Sequence, residues 1–551
     1  MTQFPARRAS LWLALGATLL LGAFLRFYQL GYKSLWVDEI LQVLVARNGM
    51  VGVLRNAQRH VLGAPPLDYL VTALVRTLGE NEFILRFPPV AWGILAIALG
   101  FVLARRLTRS HSIALVTAVL VAAAPLVVRF AQEVRFYSLP ICLSVLMVYL
   151  FVRAWQESSP VHWLLFSLAM LAALFAHYYA LFIVIALVVT AFLDTLPFFH
   201  DRPRDLRHAG LGLIASLIPP TAILLFWFTS HGFTGQAAFG FTPPTFDDVL
   251  VEPIFGPSVE FPEQRTLLFL VGAVIFPLLA LWSVIMSLRE QRVWGLLLGS
   301  IVALGVGGVL VADWRAAYFY TSRQLLFVVP FYLLLVAAGL DGIMRAVLRR
   351  PLFAAAGTAI AVVLLLGLFS FSLRASYNAP KDDWRSAARF LLQNINSHAN
   401  TIVSTPYGLE QYLFYYEPSL EEHFVLQKEL TTEDATSRVW FVTWGDRQAP
   451  RTPNELTAAD GWHSIQLAVS PNVRLAYLGA ASQNDLRREL AALDLPPQVV
   501  IYSNFLEQLQ ALDSNLAQQV AQTSVDALQT TRPPLLDAQL TRFWRKITRL
   551  P

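Results

Sequence analysis

The sequence predicts a polytopic α-helical membrane protein followed by a smaller α/β domain. Three observations carry this. Of 551 residues, 56% are hydrophobic and only 14% charged, whereas soluble domains carry roughly 25% charged residues. Apolar runs long enough to cross a bilayer recur from Leu11 to Leu373. Beyond residue 375 charges and glutamines become common and long apolar runs stop. The expected domains are therefore 1–375 in the membrane and 376–551 outside it.

The runs fall near 11–28, 83–104, 112–130, 136–154, 161–179, 180–198, 209–228, 266–288, 293–312, 323–341 and 352–373, about eleven spans in all. The first run follows Arg7-Arg8 and has no small-residue cleavage site after it, so it reads as an uncleaved span. Leu67 to Leu78 is only a dozen residues long and carries Asp68 and Arg76, which suits an interfacial helix better than a crossing one. If that run does not cross, the loops on one side hold Arg7/Arg8, Arg105/Arg106/Arg109, Arg153, Arg202/Arg204/Arg207, Arg289/Arg292 and Arg345/Arg349/Arg350. Each is basic, as cytoplasmic loops are. If it does cross, every later loop inverts and the pattern fails. The expected topology has a cytoplasmic N-terminus in the cytoplasmic membrane, short interfacial helices over 29–82 outside, and an extracytoplasmic C-terminal domain. The same topology puts Arg129 to Tyr137, His177-Tyr178-Tyr179, the loop 229–265 and Asp313 to Arg323 outside.

The net charge of +5 is small for this length and its basic residues sit in short loops, so nothing points to nucleic acid. The single cysteine, Cys142, excludes an intrachain disulfide. In the C-terminal domain Ile402-Val403-Ser404, Val439 to Val442 and Val499 to Tyr502 read as strands, and Ser386 to Asn394, Leu409 to Tyr416 and Leu506 to Val520 as helices.

The chemistry-bearing residues gather on the outer side. Asp38 and Glu39 follow the first span. Two adjacent carboxylates are expensive near lipid and useful where a proton must be taken. On a helix neighbours point roughly 100° apart, so one is expected to face the reaction while the other braces a loop or binds a cation. Gln132-Glu133-Val134-Arg135-Phe136-Tyr137 begins the fourth span; the spacing of Arg129, Glu133 and Tyr137 lets each successive pair share a helix face. His177 ends a charge-free span and two tyrosines follow it. Arg323 opens the tenth span, at a depth where a guanidinium suits a lipid phosphate. The plainer readings are a solvated acid pair, an Arg–Glu tether, an interfacial aromatic belt and a snorkelling anchor.

With these residues the chain resembles GT-C glycosyltransferases, and within them the bacterial dolichyl-phosphate-mannose protein mannosyltransferase-like proteins related to aminoarabinose and galacturonic acid transferases. Trp36-Val37-Asp38-Glu39 matches the family's acidic motif in the first outer loop. Ala64-Pro65-Pro66-Leu67-Asp68-Tyr69-Leu70 is similar to its His-Pro-Pro-Leu-Tyr-Tyr stretch, with His60 displaced upstream. Gln132 to Ser138 is similar to Gln-Glu-Ala-Arg-x-Tyr-Ser, His177-Tyr178 to a His-Tyr pair, and Ser322-Arg323-Gln324-Leu325 to Ser-Arg-Tyr-Leu with Gln324 in place of the tyrosine. Lys381-Asp382-Asp383-Trp384-Arg385 resembles the opening of the outer domain in many bacterial members. The resemblance implies a GT-C fold and transfer of a sugar from a polyprenyl-phosphate donor to an acceptor hydroxyl with inversion. Asp38 and Glu39 would be catalytic, with Asp38 as base. Glu133, Arg135, His177, Tyr178 and Arg323 would bind the donor and its phosphate. No cofactor is required, and a divalent cation held by Glu and His is allowed. Membrane lipids are the other expected partners.

Two further classes stay open on the residues alone. A lipid-sugar transporter or flippase would bind the same headgroup but needs a polar path through the spans, and their middles are almost free of charge. A non-catalytic cell-envelope scaffold is favoured by the departures at Gln324 and before Pro65.

Overall fold

The computed structural model describes residues 3–58, 65–196, 198, 205–231, 241–257, 263–379, 381–396, 401–430, 438–445, 463–470, 472–480 and a few positions between 514 and 522. His60, Ala64, Arg202, Arg204 and the expected strand Val499–Tyr502 lie outside the described residues, as does most of the expected helix over 506–520.

The chain forms two compact units, 1–30 with 45–377, and 31–44 with 378–551. The acidic segment after the first span, expected with residues 1–375, thus packs with the C-terminal residues.

The first unit is helical. Its elements are α1 (Gln3–Phe27), then, past α2 (Val37–Ala46), α3 (Gly49–Gln58), α4 (Leu67–Val75), α5 (Glu82–Thr108), α6 (His111–Ala123), α7 (Pro125–Phe130), α8 (Ser138–Glu157), α9 (Pro160–Ala176), α10 (Ala180–Asp194), α11 (Leu206–His231), α12 (Glu252–Phe255), α13 (Arg265–Phe269), α14 (Phe276–Arg289), α15 (Trp294–Ala316), α16 (Val329–Leu348) and α17 (Pro351–Asn378). Among the described residues eight stretches are long and apolar enough to cross a membrane, with α13 and α14 joined as one, and α6, α9 and α10 are shorter apolar helices. Leu211, Ile214, Ile218, Leu225 and Phe226 of α11 are exposed, a surface that suits lipid tails. The chain is a multi-pass membrane protein. In the first loop the Leu67–Leu78 run is a nine-residue helix, α4, followed by one 3₁₀ turn, far too short to span.

Local chemistry fixes the breaks. Asn81 caps α5, accepting from the Ile84 amide at 2.9 Å. Between α6 and α7, Pro125 has no N–H for the Val121 carbonyl one turn back. The wholly buried Arg26 serves there, donating to Ala122 at 2.8 Å and Val121 at 3.3 Å, and to Gly22 of its own helix at 3.0 Å. Arg26, which in the sequence only ends an apolar run, ties α1 to the broken end of α6.

The second unit holds a five-stranded mixed sheet in the order β2-β1-β3-β5-β4, built from β1 (Thr401–Thr405), β2 (Phe424–Leu426), β3 (Arg438–Trp444), β4 (His463–Ala468) and β5 (Val473–Ala480). β1 runs parallel to β2 and β3, while β5 is antiparallel to β3 and β4. Its helices are α18 (Trp384–Asn396) and α19 (Glu410–Tyr416). Phe390 meets Trp440 at 5.2 Å between ring centroids, and Trp440 meets Tyr477 at 4.6 Å.

Gly339 lets α16 approach the backbone of α14: a Cβ there would lie 2.6 Å from the Leu279 carbonyl carbon. Gly339→Ala is expected to destabilise by about 1–3 kcal/mol, seen as a lower unfolding temperature in detergent. Gly307, with nothing within 4 Å of such a Cβ, is the control: Gly307→Ala should leave stability unchanged or raise it by up to ~1 kcal/mol.

Candidate functional site

Three turns meet at one end of the helical unit. The first is residues 131–137, between α7 and α8. The expectation of a helix carrying Arg129, Glu133 and Tyr137 on shared faces is not met. α7 stops at Phe130, and the chain turns so tightly that the Arg135 amide bonds the Glu133 carbonyl at 2.7 Å. The reason lies in Gln132. Its amide nitrogen donates to the carbonyls of Tyr28 at 2.7 Å, Arg26 at 3.0 Å and Leu25 at 3.4 Å. Those carbonyls belong to the end of α1, where helical partners run out. Gln132 is thus a structural cap, Glu133 is buried beside it, and Arg135 emerges over the Phe136 ring, 4.9 Å from its centroid.

The second turn is His177-Tyr178-Tyr179. His177 ends α9 in an extended conformation, with φ −159° and ψ 120°, so it lies off the helix. Its Nδ1 accepts from the Tyr179 amide at 3.2 Å. The imidazole lies 5.5 Å from Phe136 and stacks on Phe327 at 5.9 Å. The Tyr179 hydroxyl donates to Asp313 of α15. Tyr178 turns instead toward Phe228 of α11, 5.3 Å away.

The third turn is Ala317 to Leu325. Ala317 takes a left-handed φ of 49° and ends α15. Arg323 does not open a long helix as expected. It sits in a 3₁₀ turn, Ser322–Leu325, with α16 starting only at Val329. Gln324 explains this, because its side chain accepts from the Thr321 amide at 2.9 Å, while the Thr321 side chain receives the Gln324 amide. That is a reciprocal capping box. The glutamine that departs from the family motif is a cap, and it sets the exit of Arg323, whose guanidinium lies 5.6 Å from the Tyr137 ring centroid.

Tyr318 joins the arginines. Burial raises its hydroxyl above the usual phenol value, Tyr137 and Asp313 add to the rise, and the charges of Arg323 and Arg135 oppose it. Arg135 and Arg323 come from two different turns onto the rings of Phe136 and Tyr137, whose centroids are 4.7 Å apart. The sequence marked both arginines and His177 but not Tyr318. Two guanidinium groups held on aromatic faces can meet an anion bidentately and from two sides.

Asp38 and Glu39 belong to the second unit, in the first turn of α2. Their surroundings differ. Glu39 is wholly buried and reaches back to the Trp36 amide at 3.3 Å, with the Lys381 ammonium 3.6 Å away. An acid three residues into a helix is well placed to close its first turn in this way. Asp38 is half-buried on the adjacent face. Among the described residues no group of three or more His, Cys, Asp or Glu side chains stands where it would hold a metal ion.

A family model described as dolichyl-phosphate-mannose-protein mannosyltransferase matches residues 63–226, which include Glu133, Arg135, His177 and Tyr178. No curated protein matches in sequence. In fold the chain is similar to ArnT from Cupriavidus metallidurans in the apo state, at 13% identity and a TM-score of 0.53, covering 86% of this chain and 99% of that one. It is likewise similar to the same protein bound to undecaprenyl phosphate, at 14% identity and a TM-score of 0.51, covering 86% and 98%.

Gln324→Ala is expected to cost about 1 kcal/mol, read as a lower unfolding temperature, while Gln324→Glu, which keeps the acceptor for the Thr321 amide, should lose less than half of that. Equal losses would contradict the capping role. The chain thus matches the mannosyltransferase family model over residues 63–226 and is similar in fold to ArnT over 86% of its length.

Proposed function

We propose that this chain is a membrane glycosyltransferase that moves a sugar from a polyprenyl-phosphate donor to an acceptor hydroxyl on the outer face of the cytoplasmic membrane. The observation that carries the reading is the pair Arg135 and Arg323, brought from two turns onto the neighbouring rings of Phe136 and Tyr137, next to His177. A lipid phosphate is an anion at a membrane surface, and paired guanidinium groups are the side chains that best meet it. ArnT, whose fold this chain shares, has been solved with undecaprenyl phosphate bound, which supports the choice of a polyprenyl carrier. The basic loops listed above support a cytoplasmic N-terminus and an extracytoplasmic C-terminal unit.

In the proposed reaction the acceptor oxygen attacks the anomeric carbon as the bond from that carbon to the phosphate oxygen breaks. Asp38 takes the hydroxyl proton, and the polyprenyl phosphate leaves with the electron pair. A single displacement inverts the anomeric centre. The phosphate leaves already ionised, so the step needs a base and no general acid. Arg135 and Arg323 neutralise the charge that grows on the leaving oxygen. Glu39 holds the turn that carries Asp38, and Glu133 and His177 shape the donor pocket.

The test is transfer from a panel of radiolabelled polyprenyl-phosphate sugars by wild-type membranes and by Asp38→Asn. The wild type should move label from lipid to acceptor with one sugar, and Asp38→Asn should be slower by roughly 10²–10⁴-fold. Full turnover in an Asp38→Asn protein that folds and binds donor removes the base assignment. Flipping of the labelled lipid without transfer removes the enzyme reading.

A further inference from the structure

The acidic segment is not a free loop. Every residue from Tyr32 to Leu35 is fastened to the C-terminal residues of its own unit. The Lys33 ammonium donates to the Ala379 carbonyl at 2.7 Å. The Arg385 guanidinium donates to the Tyr32 carbonyl at 2.7 Å, and the Arg385 amide to the Ser34 hydroxyl at 3.4 Å. The Tyr416 hydroxyl accepts from the Leu35 amide at 2.8 Å, and the Ser34 hydroxyl donates to it at 3.1 Å. Lys381 then supplies the charge beside the buried Glu39 carboxylate.

These anchors are themselves fixed. Asp382 accepts from the Trp444 indole at 2.7 Å and from the Asn472 amide at 2.9 Å. Asp383 caps α18 by accepting from the Ser386 amide at 3.0 Å. Trp384 is wholly buried against Tyr412, 5.0 Å between centroids. Each residue of the stretch Lys381 to Arg385 therefore has a distinct task, and two of them, Lys381 and Arg385, point at the acidic segment.

We infer that Lys381 and Tyr416 are positioning residues for the transfer reaction: from the C-terminal unit they fix residues 34–39 and so the place of Asp38. A buried carboxylate without its cation is costly, and without Lys381 the Glu39 side chain has reason to leave the Trp36 amide and release the first turn of α2. Without the Tyr416 hydroxyl the Leu35 amide and the Ser34 hydroxyl lose their common partner. Reactions that need a base within hydrogen-bond reach are sensitive to displacements of about 1 Å. This inference rests on Asp38 as the base. It also gives the C-terminal domain a part in catalysis that is separate from any choice of acceptor.

The experiment measures kcat and donor KM for the full-length protein in membranes, with the active sugar donor, for wild type, Lys381→Met, Lys381→Arg, Tyr416→Phe and Asp38→Asn. Lys381→Met and Tyr416→Phe are expected to lower kcat by roughly 10- to 100-fold, with donor KM within about twofold of wild type. Lys381→Arg should recover most of the loss. Tyr416→Phe keeps the ring and its packing on Tyr415, so it carries the test if Lys381→Met fails to fold. Wild-type kcat in both Lys381→Met and Tyr416→Phe beside an inactive Asp38→Asn overturns the positioning role and leaves the base reading standing. Losses that only track the amount of folded protein, with no rescue by arginine, overturn it too. An active Asp38→Asn removes the base reading, and the positioning role with it.

Discussion

The structure depends on a constraint at one end of the helical unit: two guanidinium groups must be kept charged, oriented and close together beside apolar helices. Aromatic faces satisfy it. Arg135 lies over Phe136 and Arg323 over Tyr137, two rings whose centroids are 4.7 Å apart. A continuous helix through either position would place these side chains along its flank, at the spacing of the turn. The chain interrupts both helices instead, so each arginine leaves a short turn whose shape is set by a glutamine, Gln132 in one case and Gln324 in the other. Turn geometry, rather than helix periodicity, aims the charges.

The breaks would leave backbone groups without helical partners. The chain answers with polar side chains drawn from neighbouring helices. Arg26 meets the carbonyls exposed by Pro125, and Gln132 meets those at the end of α1. These contacts link α1, α6 and the 131–137 turn into one polar seam. Arg26 is therefore best understood as part of the scaffold, although its charge and depth resemble those of a ligand-binding arginine.

Much of this was legible in the sequence. The apolar runs located the long helices, and the early Leu67–Leu78 run was recognisably too short to cross. The acidic pair, the Gln-Glu-x-Arg stretch, His177 and Arg323 were all marked. What the sequence hid was local geometry. A four-residue spacing is compatible with a helix, but nothing in it reveals that Gln132 will spend its side chain on α1 and stop the helix at Phe130. Gln324 looked like a departure from the family pattern because a capping role depends on the conformation of Thr321, three residues earlier. The attachment of residues 31–44 to the C-terminal unit depends on pairings more than 300 positions apart, such as Leu35 with Tyr416, and short-range pattern carries no trace of them.

Whether Arg135 and Arg323 hold one lipid phosphate together decides the donor site. The direct measurement is a double-mutant cycle on polyprenyl phosphate affinity, comparing wild type, Arg135→Gln, Arg323→Gln and the double variant in detergent micelles. If both arginines meet the same phosphate, each single change weakens binding and the double change costs less or more than their sum by at least about 0.5 kcal/mol. Strictly additive losses, or affinity unchanged in either single variant, would contradict a shared phosphate and with it the donor site described above.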